Sequence, residues 1–173
     1  MSAPTNELSA PASLPTRAEP LSHTETSEME QREAWNKKHL QELVVVRDLK
    51  NCELVPREYR NTKAAFYKLG GGVRLEPHLS ELPPGARSVN HRHTTEAVIY
   101  IVKGVGYSLV GWDDDELHRI DWQEGDMFSF PVWMWHQHFN ASETETCRYL
   151  AVQDTFHLKS VGLHAIEKHP SRQ

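Results

Sequence analysis

The sequence predicts an all-β protein, a sandwich or barrel, with a helix near its N-terminus. From Lys63 onward, short apolar segments follow one another, separated by turn residues at intervals of roughly 8–12 residues. These segments do not alternate with long helical patterns, so a parallel α/β sheet is not expected. The 173 residues suit one domain with a core, or a domain with a tail.

We expect four segments along the chain. Residues 1–26 are rich in Ser, Pro, Ala and Thr and lack apolar periodicity, which predicts a disordered or loosely docked tail. Residues 27–62 should form a helix and a strand that extend the domain. Residues 63–160 should form the barrel, and 161–173 a C-terminal tail.

The N-terminal helix is predicted from a capping pattern. Ser27 followed by Glu30 fits a capping box, which predicts a helix from Glu28 to about Glu42. The next apolar segment, LVVVRDL at 43–49, is predicted to be a short strand.

The strands of the barrel are predicted from apolar segments bounded by turns. The triplets GGG at 70–72 and PPG at 83–85 mark turns, and DDD at 113–115 marks a hairpin tip. The predicted strands are AAFYKL, VRLEPHLSEL, AVIYIV, GYSLVGW, ELHRIDW, MFSFPVW, WHQHF and CRYLAVQDTF.

Composition excludes several classes of partner. The formal net charge is −5 and no Lys/Arg-rich stripe is present, so nucleic acid is not expected as a partner. Cys52 and Cys147 are far apart, which argues against a disulfide framework, and Cys147 should be a small buried residue. The N-terminus lacks an export signal, and no apolar run approaches the roughly 20 residues of a membrane helix, so we predict a cytoplasmic protein without a membrane partner.

Two histidine pairs carry the functional signal. His91 and His93 alternate in a strand and therefore share a face with the apolar Ile99 and Ile101. On its own, such a pair is either a surface pair or part of a metal site. His136 lies in a second, aromatic-rich segment, and three imidazoles from separate strands suit iron, zinc, copper or nickel.

These residues resemble the two signature motifs of the cupin superfamily. Gly85, His91, His93 and Gly104 match the first motif. The second motif is matched in spacing by Gly125, Pro131, His136 and Asn140, with Trp133 where the family has glycine. The resemblance covers roughly residues 63–157 and implies a double-stranded β-helix, or jelly-roll, barrel with a metal held by His91, His93 and His136.

The chain departs from the cupin pattern at the carboxylate ligand. That ligand's position is first reached at Ala97, and Glu96 should point to the opposite face of the strand unless a bulge turns it inward. Three neutral ligands would leave about three open metal positions, which suit a chelating, anionic substrate and dioxygen.

The motifs HRHT and PVWMWHQHFN resemble the gentisate 1,2-dioxygenase group, whose members are Fe(II), three-histidine, ring-cleaving cupins. Members of that group usually carry two cupin units, whereas this sequence has room for one, so the resemblance points to a compact single-cupin form. It implies an Fe(II)-dependent dioxygenase that cleaves a C–C bond of a hydroxylated aromatic acid or diol. The alternatives are a β-diketone-cleaving dioxygenase, a redox-neutral lyase or isomerase with Zn, Ni or Mn, and a non-catalytic cupin that binds a small molecule.

Other residues are candidates for roles around this site. His138 is either an acid/base near the substrate or a core histidine. The candidate substrate-binding residues are Gln153, Asp154, Trp133 and Arg87. The remaining histidines are expected at the surface: His23, His78, His118, His157, His164 and His169. Cupin barrels commonly pair through their outer sheets, so we expect a homodimer or a higher homo-oligomer.

Overall fold

The computed structural model of the chain describes residues 23–113 and 116–170. Residues 1–22 of the tail predicted for 1–26 lie outside the described residues, as do the last two aspartates of the predicted hairpin tip, whereas residues 23–26 belong to the first helix. The elements are α1 (His23–His39), β1 (Leu40–Leu43), β2 (Val55–Arg57), β3 (Thr62–Leu69), β4 (Glu76–Leu82), β5 (His91–His93), β6 (Ala97–Lys103), β7 (Val105–Gly111), β8 (His118–Gln123), β9 (Met127–Phe128), β10 (Trp135–Asn140), β11 (Cys147–Gln153), α2 (Thr155–Ser160) and β12 (Ile166–Lys168).

Two sheets make up the barrel. One has the order β1-β3-β4-β11-β6-β9, with β2 also pairing with β3, and the other has the order β12-β5-β10-β7-β8. Apart from the parallel pair of β1 and β3, the strand pairs are antiparallel. This jelly-roll arrangement confirms the predicted all-β fold class with an N-terminal helix.

The core lies between the two sheets. Ile99 and Ile101 of β6 face Val110 of β7 and Trp122 of β8, and all four side chains are buried. Burying a side chain of this size contributes roughly 1.5–3 kcal/mol. Cys147 is also fully buried in this cluster, as predicted. Buried residues alternate with exposed ones along the first part of β6 and with partly buried ones along β11, which identifies the side chains that point inward.

The predicted bounds of the first helix and strand are wrong. The helix begins at His23, upstream of Ser27, so Ser27 is not its N-cap. It ends at His39 because the chain continues directly into β1, whose backbone pairs with β3. Residues 44–49, predicted as strand, have no strand pairing. Val46 and Leu49 instead pack on a second apolar cluster that covers the outer face of the larger sheet.

Helix α1 buries a polar stripe. Glu28, Arg32 and Asn36 recur every four residues and are almost inaccessible to solvent. Arg32 forms a buried ion pair with Glu76 of β4. Glu28 pairs with Arg60 at 2.6 Å. Paired charges therefore contribute to the contact between α1 and the barrel, together with the packing of Trp35 on Phe66.

The C-terminal segment contributes to the smaller sheet. Residues 161–173 were expected to be a tail, but Ile166–Lys168 forms β12. Strand β12 pairs with β5, with Ile166 opposite His93 and Lys168 opposite His91. The predicted strand CRYLAVQDTF ends at Gln153, and α2 follows. Neither helix in the described part of the chain is both long and apolar enough to cross a membrane.

Candidate metal centre

Strands β5 and β10 bring three histidines together. His91 lies directly opposite His136 in the antiparallel pair, and His93 follows on the same face of β5. One ring nitrogen from each of the three lies within 4.8 Å of the others. These are the three residues predicted as metal ligands.

Hydrogen bonds fix which nitrogen of each ring faces the others. Nδ1 of His91 lies 2.9 Å from the carbonyl oxygen of Val89. Nδ1 of His136 lies 2.9 Å from that of Met134, and Nδ1 of His93 lies 2.9 Å from that of Thr95. A carbonyl oxygen can only accept, so each Nδ1 carries the proton and each Nε2 keeps its lone pair.

The Nε2 atoms therefore form a site for a cation. Nε2 of His91 and Nε2 of His136 are 3.1 Å apart, and neither carries a hydrogen to share with the other. Two lone pairs at this distance repel each other unless a cation lies between them. Three neutral imidazoles fit Fe(II), Zn, Ni or Mn, and the carbonyl bonds at Nδ1 are the usual outer contacts of metal-binding histidines.

The electrostatics of the site keep these rings neutral. Burial, followed by nearby Arg60, lowers the pKa of His91 well below its usual range. Burial and the neighbouring His93 do the same to the pKa of His136. Burial and Arg32 lower the pKa of His93 to about 3. Neutral rings are the form that a metal binds, so protons compete weakly for the site.

Glu96 is not part of the cluster. Glu96 is exposed, as predicted, but it lies in the irregular segment between β5 and β6, so strand alternation is not the reason for its exposure. The backbone N–H of Glu96 donates to the carboxylate of Asp154 at 2.9 Å. Ala97, at the carboxylate position of the cupin pattern, is buried and lines the cavity beside the histidines.

Gln153 fills the space beside Ala97. It lies opposite Ala97 in the pairing of β11 with β6 and is buried. Its side-chain Nε2 is 3.2 Å from Nε2 of His93, and its Oε1 accepts from the Thr155 hydroxyl at 3.3 Å. An amide thus stands where the cupin pattern would place a carboxylate ligand.

Three other predicted substrate-binding residues lie outside the cavity lining. The carboxylate of Asp154 accepts a hydrogen bond from the backbone N–H of Glu96. The backbone of Arg87 forms an isolated antiparallel β-bridge with that of Phe139. Trp133 contacts the guanidinium of Arg92, whose carbon is 4.6 Å from the ring centroid. Trp133 has φ 70, a left-handed conformation that glycine adopts more readily, which agrees with the glycine at this position of the cupin pattern.

His138 lines the same cavity but is not one of the three clustered histidines. Its ring centroid is 5.8 Å from that of His136 and 4.8 Å from that of Tyr149. Nδ1 of His138 lies 2.8 Å from the hydroxyl of Ser108. Burial lowers the pKa of His138 to about 4.

A group of arginines lines the part of the cavity formed by α1 and the segment before β3. Arg32, Arg57 and Arg60 are buried and contribute to the lining. Arg32 and Arg60 have carboxylate partners in Glu76 and Glu28. Arg57 donates to the Tyr59 hydroxyl at 2.9 Å and contacts the ring of Phe66, but its Nη2 has no partner among the described residues.

Burial and two like charges act on Arg57. Burial, with smaller contributions from Arg60 and Arg32, lowers its pKa to about 10, so the guanidinium stays charged at neutral pH. No acidic residue is among the described residues that line the cavity. No period or motif in the sequence marks these arginines as a group, because they come together only when α1 docks on the barrel.

Three histidines predicted at the surface are buried. His78 lines the cavity and stacks on Phe66 at 4.5 Å. His164 is buried, and burial lowers its pKa to about 3. His169 packs against Trp135 at 4.7 Å. Their burial comes from α1 and β12, two elements whose placement on the barrel the strand pattern did not predict.

Comparison with known proteins agrees with this geometry. Residues 78–153 match the model of the cupin domain. The 5-aminosalicylate 1,2-dioxygenase of a Comamonas species is 29% identical over 84 residues, which are 48% of this chain and 20% of that enzyme. The chain thus spans about a fifth of the length of the curated relative that it matches.

Two solved structures illustrate the range of cupin folds that this chain resembles. A salicylate 1,2-dioxygenase mutant from Pseudoaminobacter salicylatoxidans, in complex with gentisate, matches with a TM-score of 0.54 at 14% identity, over 84% of this chain and 36% of that one. The oxalate decarboxylase formate complex of Lactobacillus farciminis matches with a TM-score of 0.52 at 22% identity, over 58% and 31% of the two chains. The fold is thus a cupin jelly roll, shared by oxygenases and by other proteins.

Proposed function

We propose that this protein is an Fe(II)-dependent dioxygenase that cleaves a C–C bond of a hydroxylated aromatic acid. The observation that carries the proposal is the convergence of three unprotonated Nε2 atoms on a cavity that buried arginines also line. The 29% identity to a 5-aminosalicylate dioxygenase supports the same class of reaction.

The arginines favour an anionic substrate. A buried guanidinium without a carboxylate partner is costly, and Arg57 has a free Nη2 in a cavity whose described lining lacks acidic residues. A substrate carboxylate would supply the missing acceptor in a charge-assisted hydrogen bond. A β-diketone has no carboxylate for Arg57, so this contact favours an aromatic acid over a diketone.

The residues of the chain have distinct tasks in this proposal. His91, His93 and His136 hold the metal through Nε2, and the Gln153 amide stands beside His93 to hydrogen-bond the substrate. Fe(II), when bound, supplies the one-electron chemistry that lets dioxygen react with a chelated aromatic. Both oxygen atoms enter the product, so the reaction needs no external reductant.

The substrate class is tested by oxygen uptake. Anaerobically purified, Fe(II)-loaded protein is mixed with gentisate, salicylate, hydroxynaphthoate, catechols, hydroquinones and β-diketones. We expect uptake with a hydroxylated aromatic acid, loss of uptake in His136→Ala, and normal uptake in the exposed control His118→Ala. No uptake with any of these compounds, with iron bound, would refute the proposal.

A second comparison tests the role of Arg57. Arg57→Met should raise the KM for the acid at least tenfold, and Arg57→Lys should restore part of the loss. Both variants should bind iron normally, because Arg57 is not a ligand. Turnover that persists without oxygen would instead favour a redox-neutral lyase or isomerase with Zn, Ni or Mn as a Lewis acid.

We also propose that the protein forms a homodimer. Strand β1 is the terminal strand of the larger sheet as described, and it is followed by the exposed apolar residues Val44 and Val45. An exposed edge with apolar side chains favours pairing with a second copy. Light scattering after size exclusion should give twice the mass of the chain, and a monomer at micromolar concentration would refute this.

A further inference from the structure

His138, which lines the cavity outside the cluster, lacks the carbonyl partner at Nδ1 that each of the three clustered histidines has. Nδ1 of each clustered histidine faces a carbonyl oxygen, and that of His93 also lies 2.7 Å from the Thr95 hydroxyl. Nδ1 of His138 faces no carbonyl oxygen among the described residues, and its partner is the Ser108 hydroxyl at 2.8 Å. A hydroxyl can donate or accept, so its other partners decide the direction of this bond.

Trp122 determines the direction. Its indole Nε1, which can only donate, lies 3.0 Å from the oxygen of Ser108. That oxygen therefore accepts from Trp122, and the single hydroxyl hydrogen of Ser108 needs an acceptor. Nδ1 of His138 is the acceptor that the described structure provides, and Ser108 is fully buried.

The opposite arrangement would leave a buried donor without a partner. If Nδ1 of His138 carried a hydrogen and donated it to Ser108, the hydroxyl hydrogen would have no acceptor among the described residues. A buried hydroxyl hydrogen without an acceptor destabilises the folded state. The neutral ring of His138 is therefore held with its hydrogen on Nε2.

Backbone contacts fix the positions of Ser108, Trp122 and His138 relative to one another. Ser108 is the register partner of His138 across β7 and β10. Trp122 reaches Ser108 because it lies over Gly106, where a Cβ atom would stand only 2.1 Å from the indole ring. The backbone N–H of His138 also donates to the hydroxyl of Ser88 at 3.0 Å.

We infer that Ser108 and Trp122 are positioning residues that hold His138 as the Nε2–H tautomer, so that His138 offers a hydrogen-bond donor to the substrate and not a fourth lone pair to the metal. The substrate part of this inference rests on the proposed function. The donor suits an acceptor oxygen of the substrate, such as a carboxylate or phenolate. The same fold thus holds histidines of both tautomers in one cavity.

The tautomer is measured directly by long-range ¹H–¹⁵N NMR of the full-length, Zn-loaded protein labelled at histidine. We expect His138 to carry its hydrogen on Nε2, and His91, His93 and His136 to carry theirs on Nδ1. In Ser108→Ala, His138 should lose this single tautomer, and Ser108→Thr should restore it. The exposed control Ser160→Ala should match the unchanged protein.

The results distinguish the inferred tautomer of His138 from the proposed dioxygenase activity. A hydrogen on Nδ1 of His138 in the unchanged protein would overturn the inference, even if Ser108→Ala did not fold. An Nε2–H tautomer that persists in Ser108→Ala would also overturn it. In the Fe(II)-loaded protein, Ser108→Ala should raise the KM for the aromatic acid about tenfold at normal iron content. Absence of turnover in the unchanged protein would refute the dioxygenase while leaving the NMR result to decide the tautomer.

Discussion

Ala97 and Gln153 lie opposite each other where β6 pairs with β11, beside the three clustered histidines. The small side chain of Ala97 leaves space next to the cluster, and Gln153 fills it from the neighbouring strand, with its Nε2 3.2 Å from Nε2 of His93. A neutral amide therefore takes the place that the cupin pattern gives to a carboxylate.

Gln153→Glu should tighten metal binding and weaken substrate binding. The new negative charge would attract the cation and repel an anionic substrate. We expect about a tenfold change in each constant, equivalent to about 1.4 kcal/mol. Calorimetric metal titration and the KM for the aromatic acid check this. Gln123→Glu, at an exposed position of β8, should change neither, and an unchanged metal affinity in Gln153→Glu would contradict the prediction.

Metal should stabilise the protein through His136. A metal at 100 times its Kd raises the free energy of unfolding by about 2.7 kcal/mol if it binds only the folded state. Differential scanning calorimetry with and without Zn or Fe(II) should show this increase in the unchanged protein and lose it in His136→Ala. The control His118→Ala should keep it. An equal increase in His136→Ala would place the metal elsewhere.

The metal-free protein should lose stability in acid. Burial lowers the pKa of His164 to about 3, against an ordinary value of about 6.5 in the unfolded chain. The unfolded state therefore binds more protons between these values. The free energy of unfolding therefore loses nothing through His164 above about pH 6.5, and it decreases as the pH falls from there towards 3.

Urea unfolding with a chelator, from pH 7.5 down to 4.5, measures this loss. His164→Phe should make the pH dependence shallower, because one buried group that must stay neutral is gone. His118→Phe, at an exposed position, should leave the dependence unchanged. A curve of His164→Phe identical to that of the unchanged protein would show that His164 does not contribute.

Trp133 allows a test of backbone strain. Trp133→Ala and Trp133→Gly both lose the contact with Arg92. A positive φ of 70 is unfavourable for alanine because of its Cβ atom, whereas glycine adopts it readily. We therefore expect Trp133→Gly to be more stable than Trp133→Ala by about 1 kcal/mol in urea unfolding. Tyr100 lies in the regular strand β6, so Tyr100→Ala should be more stable than Tyr100→Gly. The same order at both sites would argue against strain at Trp133.

Sequence patterns predicted that His91, His93 and His136 lie close together, as they do in the structure. The alternation of side chains along a strand predicted that His91 and His93 share a face, whereas Glu96 is exposed in the irregular segment between β5 and β6. The position of His136 followed from the spacing of the second motif. Local patterns were sufficient here because the site lies on two adjacent strands.

The cationic part of the cavity could not be predicted in this way. Arg32 and Arg57 belong to a helix and a short strand that meet the barrel only in three dimensions. The helix buries Glu28, Arg32 and Asn36, whereas sequence patterns identify a docked helix by an apolar stripe. His78 and His164 were predicted at the surface because the sequence pattern did not predict the docking of the elements that bury them.

The paired charges beneath α1 constrain how this chain can change over evolutionary time. Glu28 meets Arg60 and Lys168, and Arg32 meets Glu76, so losing one partner leaves the other buried without compensation. Such a loss typically costs about 3–5 kcal/mol. Substitutions at these positions should therefore be accepted together, and an alignment of close homologues should show positions 28 and 60, and 32 and 76, changing as pairs. Exchanging the charges of one pair should preserve folding better than either single reversal.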